Sequence, residues 1–169
     1  IDELVTGLFY QPTVDTNENP FRDNSRNTIL LTQLSPGTFM FVKSYCSSIS
    51  GIEAVTVAVE VNITAGIGMY LVGLPDNAVR ESQERIRAAF ENCEYKMSGK
   101  KVVVNLSPAD LRKEGSAYDL PIAVAMLAAS GQIDAAPLSR YILLGGLSLG
   151  GSILPVKGAL PIAMQALKE

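Results

Sequence analysis

The most reactive arrangement in the sequence is a serine, Ser116, within the tripeptide Gly-Ser-Ala of a long polar connection. The chain contains no histidine, which excludes Ser-His-Asp and Cys-His catalysis, so the base would have to be a lysine. Lys113 lies close in sequence, and Lys157 is reachable only through the fold. The structural alternative is a serine that caps a turn.

Three carboxylates, Asp110, Glu114 and Asp119, lie on or beside the same connection. Carboxylates grouped in this way can act as an acid–base pair or hold a metal ion. Helix capping and solvation explain them more simply, and Asp119 stands where it would cap the next helix. We therefore predict no metal site.

A glycine-rich stretch, Gly145–Ser152, nearly matches the phosphate-binding pattern G-x-x-x-x-G-K-[ST]. Gly151 occupies the lysine position, and a phosphate-binding loop must also lead into a helix that completes the anion site. A second β-rich run follows instead, so the sequence predicts a hairpin around Gly150 and Gly151. We predict no cofactor site in this chain.

The clearest local excess of positive charge lies between residues 96 and 113, where five bases accompany a single acid. Phosphate recognition needs such a concentration of lysine and arginine, although a subunit contact or a solvated rim would account for it equally well. If the chain touches DNA, we expect the contact to use Lys100, Lys101, Arg112 and Lys113.

The elements that must position these residues follow from hydrophobic periodicity. Glu53–Thr64 alternates strictly, as a half-buried strand does, whereas Leu120–Ser130 is apolar nearly all round and should form a central helix. Strands are also predicted at Met40–Ser47, Met69–Leu74, Lys101–Leu106 (buried), Tyr141–Leu149 and Ser152–Val156, and helices at Asp76–Asn92 and Gly158–Lys168. The charged face of the first helix, with Glu81 and Arg85 at i,i+4, is predicted to be solvated.

Residues 1–39 differ from the rest of the chain. They are rich in asparagine and carry a net charge of −3, which is the whole charge of the chain. Such a segment buries too little apolar surface to offset its ordering entropy, so we expect a flexible extension. Met40 opens the regular pattern and is the expected natural start, with residues 40–169 as the domain.

Composition favours a globular domain, since 47% of residues are hydrophobic and 18% are charged. The two cysteines, Cys46 and Cys93, are too few for a disulfide framework and are expected to be reduced. No signal peptide and no apolar run of about 20 residues is present. These features predict a cytoplasmic protein without membrane partners.

Four motifs occur in one order and in register, and together they resemble the N-terminal domain of the ComM/YifB family, the magnesium-chelatase-like AAA+ proteins of bacteria. The resemblance covers Met40 to Glu169. The motifs are V-G-L-P-D-N-A-V-R-E-S (Val72–Ser82), V-N-L-S-P-A-D-L-R-K-E-G (Val104–Gly115), Y-D-L-P-I-A (Tyr118–Ala123) and L-G-G-L-S-L-G-G-S-I-L-P-V-K-G (Leu144–Gly158).

The resemblance implies an α+β fold with a mixed β-sheet and packed helices, similar to the catalytic domain of Lon protease and to domain 2 of a ribosomal small-subunit protein. It places Ala117 at the position of the Lon serine and Leu160 at that of the Lon lysine. Because Ser116 is one residue away, the resemblance implies a Lon-like fold that has lost its protease chemistry.

The resemblance also implies function. In this family the domain precedes an AAA+ ATPase module that forms a homo-oligomeric ring and migrates DNA branches in natural transformation. By that likeness this chain is a non-catalytic fragment that contributes to DNA engagement or ring assembly, with ATP and magnesium bound beyond Glu169. The alternatives are a Ser-Lys peptidase of Lon type that uses Ser116, and a regulatory part of a magnesium chelatase.

Overall fold

The computed structural model describes residues 41–50 and 53–167. Four strands form one sheet in the order β1-β2-β4-β3, in which β1 pairs antiparallel with β2, β2 antiparallel with β4, and β3 parallel with β4. The strands are β1 (Phe41–Ser50), β2 (Glu53–Thr64), β3 (Met69–Val72) and β4 (Lys101–Ser107). The predicted mixed sheet is confirmed.

Helices and a small hairpin complete the α+β arrangement. The helices are α1 (Asn77–Arg80), α2 (Ser82–Asn92), α3 (Asp119–Ala129) and α4 (Ala159–Ala166), and the hairpin strands are β5 (Gly146–Leu147) and β6 (Ile153–Leu154). Two short 3-10 helices cover Ser116–Tyr118 and Ala136–Arg140. The likeness to Lon protease stays a prediction.

The core lies between one face of the sheet and helix α3. Alternation in β2 buries Val57, Val59 and Val61, as predicted. Helix α3 is buried on nearly all sides and packs against β1 and β2, also as predicted. The predicted buried strand at Lys101–Leu106 is β4, which has no exposed residue and whose side chains alternate between buried and half-buried on the two faces of the sheet.

Two predicted elements differ from those observed. The helix predicted for Asp76–Asn92 is two helices that meet at Glu81, where an i→i+3 hydrogen bond from the Glu84 N–H to the Glu81 carbonyl (3.1 Å) tightens the backbone. The predicted hairpin is present, but its strands are two residues each. The first half of the predicted strand Tyr141–Leu149 instead bridges to β1 through Ile142.

The predicted extension, residues 1–39, lies outside the described residues, as does Met40. Within the described ranges, no helix combines the length and apolar character needed to cross a membrane.

Candidate functional site

Asp76 organises the long connection that carries the candidate residues. Its Oδ1 accepts a hydrogen bond from the Val79 N–H at 2.7 Å and caps helix α1, while its Oδ2 accepts one from the Gly115 N–H at 3.1 Å. The Asp76 N–H also donates to the carbonyl of Lys113 at 3.0 Å. One carboxylate therefore fixes the connection to the beginning of a helix that lies 39 residues earlier.

Lys113 is buried within this connection. Its side chain has no solvent exposure, and its Nζ donates to the carbonyl of Pro108. Burial lowers the pKa of the ammonium below its ordinary value, because a low-dielectric surrounding disfavours charge. The predicted contact of Lys113 with phosphate requires a lysine on the surface. In this structure Lys113 is buried, so it cannot make that contact.

A cleft of about 890 Å³ lies beside the connection. Ser116, Ala117 and Lys157 all line it, together with the end of β1 and Ile162 of helix α4. The fold thus brings Ser116 and Lys157 to one cavity, whereas Lys113 does not line it. Leu160 is 72% exposed and is not among the lining residues either.

A buried polar cluster lies at the inner side of the cleft. Tyr118, which forms a side-chain hydrogen bond with Ser48, is buried, and burial raises the pKa of its phenol to about 12. Cys46 is fully buried, and its thiol contacts the carbonyl of Val57 at 3.5 Å. Burial raises the pKa of that thiol as well. Both cysteines are free thiols, and Cys93 is half-buried.

A buried ion pair joins three elements next to the cleft. The Arg85 Nε and Nη2 donate to Asp119 at 2.7 Å and 2.9 Å, and Asp119 Oδ2 also accepts from the Leu147 N–H at 3.1 Å. The Asp119 side chain is fully buried. The prediction that Asp119 caps its helix was wrong, because its oxygens bind helix α2 and strand β5 instead.

The predicted solvated face is confirmed at its other charged residues, which are all exposed (Arg80, Glu81, Glu84, Arg87 and Glu91), and the same contacts correct it at Arg85. Glu81 does lie near Arg85, at 3.7 Å, but the Arg85 side chain is only 22% exposed. Its hydrogen-bonded partner is Asp119, which is 34 residues away in sequence. Periodicity within one helix could not reveal this pairing.

The other predicted bases are separated by the length of strand β4. Lys101 lies at its beginning, with its Nζ 5.0 Å from the centre of the Tyr70 ring. Arg112 lies beyond its end and pairs with Glu114 at 3.0 Å on the surface. Seven residues of strand span about 20 Å, so Lys100 and Lys101 do not share one patch with Arg112.

The glycine-rich stretch does not fit a nucleotide phosphate. It forms the turn of the β5–β6 hairpin, and Gly151 has a φ of +85°. A Cβ at position 151 would lie 2.2 Å from the Cys93 Sγ, so the lysine of a phosphate-binding loop has no room there. Within the described part of the chain, no three acidic or sulfur ligands gather into a metal-binding group.

Comparison with known proteins supplies the family. The family described as "Subunit ChlI of Mg-chelatase" matches residues 59–169. The chain is 47% identical over 120 residues to the protein YifB of Escherichia coli, and 42% identical over 126 residues to the competence protein ComM of Haemophilus influenzae. These matches cover 70% and 74% of this chain but only 24% and 25% of those relatives.

The family match extends over almost two thirds of the sequence, which is much more than a single shared motif. It includes helices α1 to α4, strands β3 to β6 and the second half of β2, and thus the Asp76-anchored connection. The chain therefore belongs to the ComM/YifB family of magnesium-chelatase-like proteins.

Proposed function

We propose that this chain is a non-catalytic domain of a ComM-like AAA+ ATPase that processes DNA in the cytoplasm, and that it contributes to DNA engagement or to assembly of a homo-oligomeric ring. Nucleotide and magnesium would bind to the ATPase module, outside this chain. The name of the competence protein ComM, together with the ChlI family match, supports this assignment.

One observation carries the non-catalytic part of the proposal. The cleft presents Ala117 where the resemblance places a nucleophilic serine, and Leu160, the counterpart of the catalytic lysine, is 72% exposed and away from the lining. Ser116 and Lys157 line the same cleft, but within the described part of the chain no hydrogen bond joins them, and a serine without a hydrogen-bonded base is a weak nucleophile. The domain therefore acts through surfaces rather than through a covalent intermediate.

Direct DNA engagement would use phosphates at two separate places on the domain. Lys100 and Lys101 lie near the beginning of strand β4, and Arg112 lies past its end. The described part of the chain offers no row of exposed aromatic side chains among these bases for stacking. Binding would therefore be weak, insensitive to sequence and dependent on salt.

A salt titration with a fluorescein-labelled 30-base-pair duplex tests this engagement. Three phosphate contacts predict a slope of log affinity against log salt of about −2.7 for duplex DNA, and Arg112→Ala should bring it to about −1.8. Arg140→Ala, which removes an exposed base outside the predicted set, should leave the slope unchanged. If Arg112→Ala and the Lys100→Ala/Lys101→Ala double variant both keep the original slope, DNA engagement by these residues is wrong, and ring assembly remains.

A further inference from the structure

Two aromatic side chains lie on the face of the four-stranded sheet that is turned away from helix α3. Residues that pair directly across neighbouring strands share one face of a sheet. One such row crosses all four strands through Phe41, Asn62, Val103 and Tyr70. The neighbouring row on the opposite face, which includes Val61 and Val104, is buried in the core. Phe41 and Tyr70 therefore point away from the core, and they are 59% and 51% exposed.

Each of these two rings offers a separate position on which a base can stack. Neighbouring strands lie about 4.8 Å apart, so the three steps from β1 to β3 place the backbones of Phe41 and Tyr70 about 14 Å apart. The half-buried Val103 and the exposed Asn62 lie between them. The rings thus form no continuous apolar row, and they lie at opposite ends of one flat face.

A lysine accompanies each ring on this face. The Lys101 Nζ lies 5.0 Å from the centre of the Tyr70 ring, and Lys43 follows Phe41 at the next outward position of β1. Among the outward-facing side chains of the described strands, Glu60 is the only carboxylate, and Lys43 pairs with it at 3.2 Å. Two lysines against one carboxylate leave the face positive, as the binding of phosphates requires.

The middle of the face is polar, which favours a nucleic acid over a protein as its partner. Glu60 lies between Lys43 and Asn105 and accepts a hydrogen bond from the Asn105 Nδ2 at 2.9 Å. The core of a protein–protein interface is depleted of charged residues, so a docked protein would have to bury this charged row. A single nucleic-acid strand presents flat bases together with phosphates, which match the separate rings and lysines.

We propose that this sheet face binds single-stranded DNA, with bases stacked on Tyr70 and Phe41 and phosphates beside Lys101 and Lys43. A four-stranded sheet with exposed aromatic side chains is a common way to bind the unpaired bases of a single strand. Stacking tolerates any sequence, because every base has a flat face. The inference rests on the DNA engagement proposed above, and it names the form of DNA and the surface that binds it.

Fluorescence anisotropy with the full 169-residue chain and a fluorescein-labelled strand of about 12 thymidines tests the site. We expect saturable binding by the parent chain. Tyr70→Ala and Phe41→Ala should each weaken it by about fivefold to about 150-fold, because each removes one stacked base. Tyr70→Phe keeps the ring and should stay within about twofold of the parent. Lys101→Ala should reduce the slope of log affinity against log salt by about 0.7.

Two controls separate this site from a general loss of binding. Leu149→Ala shortens a side chain that is 61% exposed between β5 and β6, away from the sheet face, and should leave affinity unchanged. Tyr70→Ala should leave the binding of the labelled duplex unchanged, because the bases of a duplex stack on one another. Matching urea midpoints for the parent and the variants would show that each variant is folded.

The possible failures distinguish this site from DNA engagement as a whole. The site is wrong if the strand binds equally well to the parent, Tyr70→Ala and Phe41→Ala, and DNA engagement stands if the duplex still depends on Arg112. Both proposals are wrong if the chain binds neither the strand nor the duplex. The site is also wrong if the two alanine variants change only the sedimentation of the chain alone, because the face would then be a contact between copies.

Discussion

Replacing Asp119 by alanine is expected to lower the free energy of unfolding by about 3–5 kcal/mol, because it leaves Arg85 without its partner in a largely buried place. The change also removes the acceptor of the Leu147 N–H. For a domain of this size such a loss lowers the melting temperature by roughly 6–20 °C. Urea denaturation at neutral pH measures the change directly.

A double-mutant cycle separates the pair from its surroundings. Arg85→Met alone should also lower the free energy of unfolding. The double variant should lose less of that free energy than the sum of the two single losses, and the difference, the coupling energy, should be about 1–3 kcal/mol. The matched control is Glu81→Gln, since Glu81 is 71% exposed and lies 3.7 Å from Arg85. It should change stability by less than about 0.5 kcal/mol. Additive single effects would show that the two side chains do not act as a pair.

Alkaline pH should lower the stability of the fold through Cys46 and Tyr118, the two buried groups beside the cleft. Burial raises the pKa of Cys46 above its ordinary 9.0 and that of Tyr118 from 10.0 to about 12, so the unfolded chain releases these protons first. Stability contributed by each group is complete below its unfolded pKa and declines as pH rises above it. Each group adds a slope of at most about 1.4 kcal/mol per pH unit, beginning near pH 9 for Cys46 and near pH 10 for Tyr118.

The ionisation of Lys113 changes stability in the opposite direction, so its effect must be measured separately from those of Cys46 and Tyr118. Its pKa is lowered by burial, so stability rises with pH from its folded pKa up to the ordinary 10.5. Denaturation midpoints of the parent, Cys46→Ala and Tyr118→Phe between pH 8 and 11 isolate each contribution by difference. The two variants should each lose part of the alkaline decline, and Lys113→Met should steepen it. Parallel pH curves for the parent and Cys46→Ala would contradict the role of the thiol.

The sequence pattern predicted the sheet well, because side chains alternate between the two faces of a strand. A strand that covers the core with one face therefore has a hydrophobic residue at every second position. The alternation of β2 and the apolar character of α3 require no knowledge of distant contacts, and both were confirmed. The hairpin at Gly150 and Gly151 was also predicted, since turn residues act over two or three positions.

The site depends on contacts between residues far apart in sequence, and these carry no periodic signal. Arg85 has the spacing of an exposed helical residue, yet it pairs with Asp119 across the fold. Lys113 stands among polar neighbours, as surface lysines do, yet its N–H donates to the Leu74 carbonyl and its carbonyl accepts from the Asp76 N–H, and these bonds hold it inside. The N-cap at Asp76 had a local signal in the sequence Leu-Pro-Asp, but its second bond to Gly115 had none.

We expect no peptide hydrolysis in the cleft, and turnover of fluorogenic peptides and of labelled casein tests this expectation most directly. The purified chain at micromolar concentration should release no more product than buffer, and Ser116→Ala should match it, because Ala117 and Leu160 stand at the two positions of the Lon pair and no hydrogen bond among the described residues joins Ser116 to Lys157. Product release by the parent chain that disappears in Ser116→Ala, with Ser152→Ala as the exposed serine control, would contradict this expectation and identify a peptidase.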